Sequence, residues 1–139
     1  MMVSGALATS SALWGCSDSL DARCDRGDGA ACGVLADQER HASKGDESLP
    51  RICELYRRAC TGDNYVGCAN LGALLAQGRC TGSSGEALDV LQRACDHGEV
   101  GGCNNLGMVL RDGAGGAPVD RARAAVVLSL IHISQGIVR

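Results

Sequence analysis

The 139-residue sequence predicts an all-α fold, a stack of antiparallel helical hairpins, on three observations. A Cys pair with seven residues between its members occurs three times, at Cys24 and Cys32, Cys60 and Cys68, and Cys95 and Cys103. The pairs recur after 36 and then 35 residues, a period typical of stacked supersecondary units. Between them the apolar residues fall at helical rather than alternating spacing, broken by Gly-rich stretches.

Taken in order, the chain opens with residues 1–15, MMVSGALATSSALWG, uncharged, small and apolar, and too short to span a bilayer. They read as an export segment. It ends Leu13-Trp14-Gly15-Cys16, which resembles the lipobox of bacterial lipoproteins, where an apolar residue at −3 and a small one at −1 precede the lipidated Cys. The resemblance implies a lipid anchor on Cys16. No Lys or Arg precedes the apolar stretch, and Trp14 is bulky for its place.

The repeats cover residues 20–128 as about three units, 24–59, 60–94 and 95–128. Eleven residues after each first Cys stands Leu35, Leu71 or Leu106, followed by Ala36, Gly72 or Gly107. Four before it stands Leu20, Tyr56 or Leu91. Arg58-Ala59-Cys60 recurs as Arg93-Ala94-Cys95. Each unit predicts two helices. In the second unit, residues 64–77 set Cys68, Leu71, Leu74 and Leu75 on one face. Gly78 to Gly85 is the loop, and residues 86–95 carry Ala87, Leu88, Leu91 and Cys95 on the next helix. In the third unit Gly113 to Pro118 is the loop, with Pro118 where a new helix can start. The first unit is least regular: Pro50 falls early in its second helix, and His41 to Asp46 replaces the Gly-rich loop. A small residue after each Leu lets neighbouring helices approach, and each hairpin covers the apolar stripe of the next.

After Leu128 the pattern fails. Residues 129–139 read as an irregular tail with neither a closing Cys nor a polar capping helix, which predicts truncation of a longer array; dimerisation or fraying of the tail are the alternatives.

Composition narrows the function. Phe is absent, Trp occurs once and Tyr twice, so Ala, Leu, Val and Cys do the packing. A net charge of −3 gives no basic footprint for nucleic acid. Nine Cys in an exported chain this short imply a disulfide framework. Structural zinc usually takes Cys two to four residues apart, unlike the gap here, and His41, His97 and His132 are scattered and read as surface residues. No metal or cofactor is expected.

The period, the Leu-Gly step, the Gly-rich inter-helix loop and the Arg-Ala-Cys ending resemble the Sel-like repeat family, relatives of tetratricopeptide repeats. The Cys pair in every unit is similar to the cysteine-rich, secreted Hcp-type branch. The resemblance covers about residues 20–128 and implies a superhelical solenoid with one disulfide per repeat, joining the end of one helix to the start of the next. The predicted geometry agrees: one Cys closes a helix and its partner lies in the first turns of the antiparallel neighbour, where Cα atoms come within the roughly 4.4–6.8 Å a disulfide needs. Stacking sets the regions of Cys53 and Cys80 side by side, which suits an inter-repeat bond; two free thiols are the alternative. With Cys16 lipidated, the remaining eight pair completely.

The branch often carries a β-lactamase label, so penicillin binding or turnover is the alternative function. Serine β-lactamases need Ser-x-x-Lys, yet the only Lys is Lys44 and residue 41 is His. No His/Asp/Cys cluster for metal-assisted hydrolysis is visible. The leading expectation is an exported scaffold that binds a peptide or protein on a concave surface lined by the first helix of each unit. Asn64, Asn70, Gln77, Asn104, Asn105 and Arg111 are its candidate contacts; Asn70 and Asn105 are also suited to bonding backbone inside the stack. Periplasm, outer membrane or the extracellular space is the expected location, with membrane contact only through Cys16.

Overall fold

Three turns of one design set the architecture. Each begins at the first Cys of a pair, and its third following residue adopts a left-handed conformation: Gly27 at φ 90°, Asp63 at φ 63° and Gly98 at φ 83°. The next residue, Asp28, Asn64 or Glu99, caps the following helix by accepting a backbone N–H from Ala31, Gly67 or Gly101. Gly27 N–H donates to Cys24 O at 2.9 Å, Asp63 to Cys60 O at 3.1 Å and Gly98 to Cys95 O at 3.0 Å. Asp63 holds this conformation without glycine's freedom, as short polar residues sometimes do.

The computed structural model describes residues 18–134, which form seven α-helices and, among the described residues, no strand. They are α1 (Leu20–Asp25), α2 (Gly29–Ala42), α3 (Leu49–Thr61), α4 (Tyr65–Ala76), α5 (Ser84–Asp96), α6 (Val100–Asp112) and α7 (Arg121–Ser134), with 3-10 turns at Asp46–Ser48 and Ala114–Gly116. The repeat turns join α1 to α2, α3 to α4 and α5 to α6. Cys16 and the rest of the proposed export segment lie outside the described residues.

At each turn a disulfide joins the two helices. Cα atoms are 4.7 Å apart in Cys24–Cys32, 4.5 Å in Cys60–Cys68 and 4.4 Å in Cys95–Cys103. So close an approach needs small neighbours. A Cβ on Gly67 would stand 2.7 Å from Ala59 Cβ, and one on Gly102 would stand 2.5 Å from Ala94 Cβ. Thus at the second and third turns the Ala before the first Cys meets the Gly before its partner; at the first turn Arg23 and Ala31 hold those places. A fourth disulfide, Cys53–Cys80 with Cα atoms 5.8 Å apart, ties α3 to the loop after α4.

Consecutive helices pack in pairs, and α4 also packs on α6. The core is aliphatic and sulfur-rich; its largest fully buried side chains are Tyr56, Ile52, Leu71, Leu91, Leu106 and Leu110. Tyr56 reaches polar partners from inside, donating its hydroxyl to Asp37 at 2.5 Å. Burial, with Asp37 beside it, holds the phenol protonated well above its ordinary range. Leu91 lies over Gly72, where a Cβ would be 2.3 Å from Leu91 Cγ. Leu128 covers Gly107 in the same way, with a Cβ position 2.5 Å from its nearer methyl.

That last pair explains the break in the repeat. Gly113, Gly115 and Gly116 all have positive φ, adding a 3-10 turn before the last helix. Its capping residue is therefore Asp120, whose carboxylate accepts from Arg123 N–H at 2.9 Å, and not Pro118, which precedes the helix. The register slips by two residues: Ala124 and Leu128 take the places of Ala87 and Leu91. The backbone stays helical through residues 129–134, a stretch free of Gly and Pro, where the sequence reading set an irregular tail.

Close approach at Gly72 gives a direct test. Gly72→Ala forces its methyl into Leu91 and should destabilise the oxidised protein by about 1–3 kcal/mol in urea unfolding. Gly85→Ala, whose added Cβ would meet only Ser83 Oγ at 3.5 Å, should be neutral or stabilise by up to about 1 kcal/mol.

Candidate functional site

The helices that open each unit, α2, α4 and α6, expose a mixed face. Val34 on α2, Val66 on α4 and Met108 on α6 are its exposed large apolar side chains. Asn104, Met108 and Arg111 follow one another at i, i+4 and i+7 along α6, with Asn104 Nδ2 3.8 Å from Met108 Sδ. Arg111 is exposed and grips Asp112 through two bonds of 2.7 Å. That hydrogen bond, with the adjacent charges, lowers the Asp112 pKa and raises that of Arg111.

The six residues singled out from the sequence divide. Gln77 is exposed at the end of α4, and Asn104 and Arg111 are exposed on α6, while Asn105 is half-buried. Asn64 is spent on structure: its carbonyl accepts Gly67 N–H at 2.8 Å as the cap of α4. Asn70 is half-buried close to the Tyr56 hydroxyl, whose pKa it acts to lower against the larger effects of burial and Asp37. The open part of the face is thus concentrated on α6 and the end of α4, two helices that pack together.

The Arg of the recurring Arg-Ala-Cys step is a residue whose role sequence reasoning missed. Arg58 Nη2 reaches back to the first turn, donating to Cys24 O at 3.0 Å and Asp25 Oδ1 at 2.9 Å. Arg93 repeats the gesture one unit later, with Nη2 2.5 Å from Asp63 Oδ1 and Nη1 3.9 Å from Cys60 Sγ. Its guanidinium also lies 5.9 Å from the centre of the Tyr65 ring, which stacks on His97 at 3.9 Å. Arg57 of α3 bridges to α5, donating to Glu86 at 2.7 Å and to Thr81 O at 2.5 Å. Recurrence in phase was the available signal for Arg58 and Arg93. Their targets lie some thirty residues away in sequence and cannot be read from spacing.

His41 and His97 each donate Nδ1–H to the carbonyl four residues earlier, at 2.6 and 2.8 Å. Among the described residues, no group of three or more His, Cys, Asp or Glu could hold a metal ion. No helix among them is long and apolar enough to cross a membrane. Four intramolecular disulfides imply an oxidising environment.

Because Arg93 ties the third repeat turn back to the second, Arg93→Ala should lower unfolding stability by about 1 kcal/mol. Arg93→Lys should recover only part of that loss, since an ammonium lacks the guanidinium fork. Equal stability of all three proteins in urea melts would remove the role of Arg93 in joining the turns. No family model matches the chain, and no curated protein matches it significantly.

Proposed function

We propose that this chain is an exported, disulfide-stabilised scaffold of Sel-like repeats that binds a peptide or protein along the face of α2, α4 and α6. The observation that carries the proposal is an asymmetry of packing. Helix α4 packs against α6, whereas α3 and α5 share no comparable contact and are bridged by the Arg57 side chain. A stack that is tighter on one side curves toward it, which supports the reading of the first helices as a concave surface of the kind on which helical-repeat proteins hold extended partners.

Chemistry supports the same choice. The face combines amide and guanidinium donors with the flexible thioether of Met108, a mixture suited to a peptide backbone and its side chains. The Cys pairs, each closed in a disulfide, are structural and supply no thiolate. Export, to the periplasm, the outer membrane or beyond, is supported by those disulfides and by the lipobox-like Leu13-Trp14-Gly15-Cys16.

The test is a peptide-array screen with oxidised protein, followed by titration of the best binder. Asn104→Ala and Arg111→Ala should each weaken that peptide several-fold with an unchanged melting temperature, and nitrocefin should not be hydrolysed. Peptide affinity indifferent to both substitutions, or nitrocefin turnover by the pure protein, would overturn the proposal.

A further inference from the structure

A second concavity lies away from the α4–α6 face, where the loop between α2 and α3 meets the segment following α4. It holds about 340 Å³, within the range of small-molecule sites. Three cations stand on its wall: Arg40 from α2, Lys44 from the loop and Arg79 from beyond α4. One carboxylate, Asp46, stands among them, bound to Arg79 at 2.9 Å. Arg40 has a long contact of 3.4 Å to Asp37, whose same oxygen already accepts the Tyr56 hydroxyl. Lys44, the only Lys of the protein, forms no ion pair among the described residues. The cavity is therefore cationic in a protein of net charge −3.

Two further observations define what it takes. Leu49, Ile52 and Leu74 also line the cavity, so cations and an aliphatic surface share one space. Ser43 borders it too, and its Oγ is buried with no hydrogen-bond partner among the described residues. A buried hydroxyl left unpaired is costly, and an oxygen acceptor would relieve it. An adjoining depression of about 350 Å³ shares Asp46, Leu49 and Arg79 with the first, leaving room for a longer molecule to continue.

We propose that this cavity binds an organic carboxylate carrying a short aliphatic group, the chemistry shared by an acylated aliphatic amino acid and a peptide's C-terminal residue. The carboxylate sits among Arg40, Lys44 and Arg79, all solvent-accessible, and accepts charge-assisted bonds from them. The aliphatic group covers Leu49, Ile52 and Leu74. Because Arg79 adjoins Cys80, the Cys53–Cys80 disulfide holds one wall of the site against the other.

NMR titration of the oxidised full chain tests this with N-acetyl-leucine, its methyl amide, acetate, inorganic phosphate and a short peptide ending in a free leucine. N-acetyl-leucine should shift the amides of Ser43, Lys44 and Arg79, and its methyl amide and acetate should each bind about tenfold more weakly. Lys44→Gln and Arg40→Gln should each weaken N-acetyl-leucine by about tenfold without changing the melting temperature. Tighter binding of the peptide assigns the cavity to chain ends; equal binding assigns it to free acids. Silence at those three amides, equal affinity for acid and amide, or phosphate binding as tight as N-acetyl-leucine overturns the proposal. These outcomes do not depend on Asn104 or Arg111, so the peptide face stands or falls separately.

Discussion

Two helices can share a disulfide beside a tight turn only if their backbones nearly touch, and nearly touching backbones exclude ordinary side chains. That constraint governs the rest of this protein. At Cys60–Cys68 and Cys95–Cys103 the Cα atoms lie 4.5 and 4.4 Å apart, and the residues flanking each bond are Ala on one helix and Gly on the other. The bond and the small residues need each other. At these two turns glycine lets the helices close to that distance, and without the bond so little apolar surface would hold them weakly; the first turn closes its bond at 4.7 Å with Arg23 and Ala31 in the flanking places. Each eight-residue closure constrains the unfolded chain by about 2–3 kcal/mol in the chain-entropy account. In a chain without Phe, whose aromatic residues are one Trp and two Tyr, that contribution replaces part of what bulky side chains ordinarily give.

A turn built this way also prepares the contact with the next turn. Left-handed residues at Gly27 and Asp63 hold the turn, and its carbonyl, sulfur and carboxylate groups become the targets of Arg58 and Arg93. The sequence step Arg-Ala-Cys thus has three distinct tasks in three consecutive residues. Arg reaches back to the preceding turn, Ala makes the backbone contact and Cys closes the bond. Where the third unit slips by two residues, Leu128 still finds Gly107, because the packing site is set by the glycine and not by the count of loop residues.

The parts of this architecture legible in the sequence are the local and periodic ones. Helices, turns and the small residue after each Leu follow from spacing, because a helix repeats its face every few residues and Gly interrupts it. Where the chain departs from the period, spacing misleads. Pro118 stands in phase with the capping Ser83, yet three glycines of positive φ add a turn and pass the cap to Asp120. Among the face residues, the sequence could not distinguish Asn64, drawn into a cap, from Asn104, left exposed on α6. Both are polar residues near the start of a first helix, and only the local backbone tells them apart. The links from Tyr56 to Asp37 and from Arg93 to Asp63 join distant segments, and the cationic cavity draws Arg40 and Arg79 from different units. Such meetings are products of tertiary packing and leave no mark on local sequence.

The account rests on covalent closure of every repeat turn. The most direct measurement is alkylation of the folded, unreduced protein taken from its own compartment, followed by non-reducing peptide mapping. The account predicts that Cys24, Cys32, Cys53, Cys60, Cys68, Cys80, Cys95 and Cys103 remain unlabelled and map to 24–32, 53–80, 60–68 and 95–103. Labelling of the repeat cysteines, or bonds that cross between turns, would contradict it.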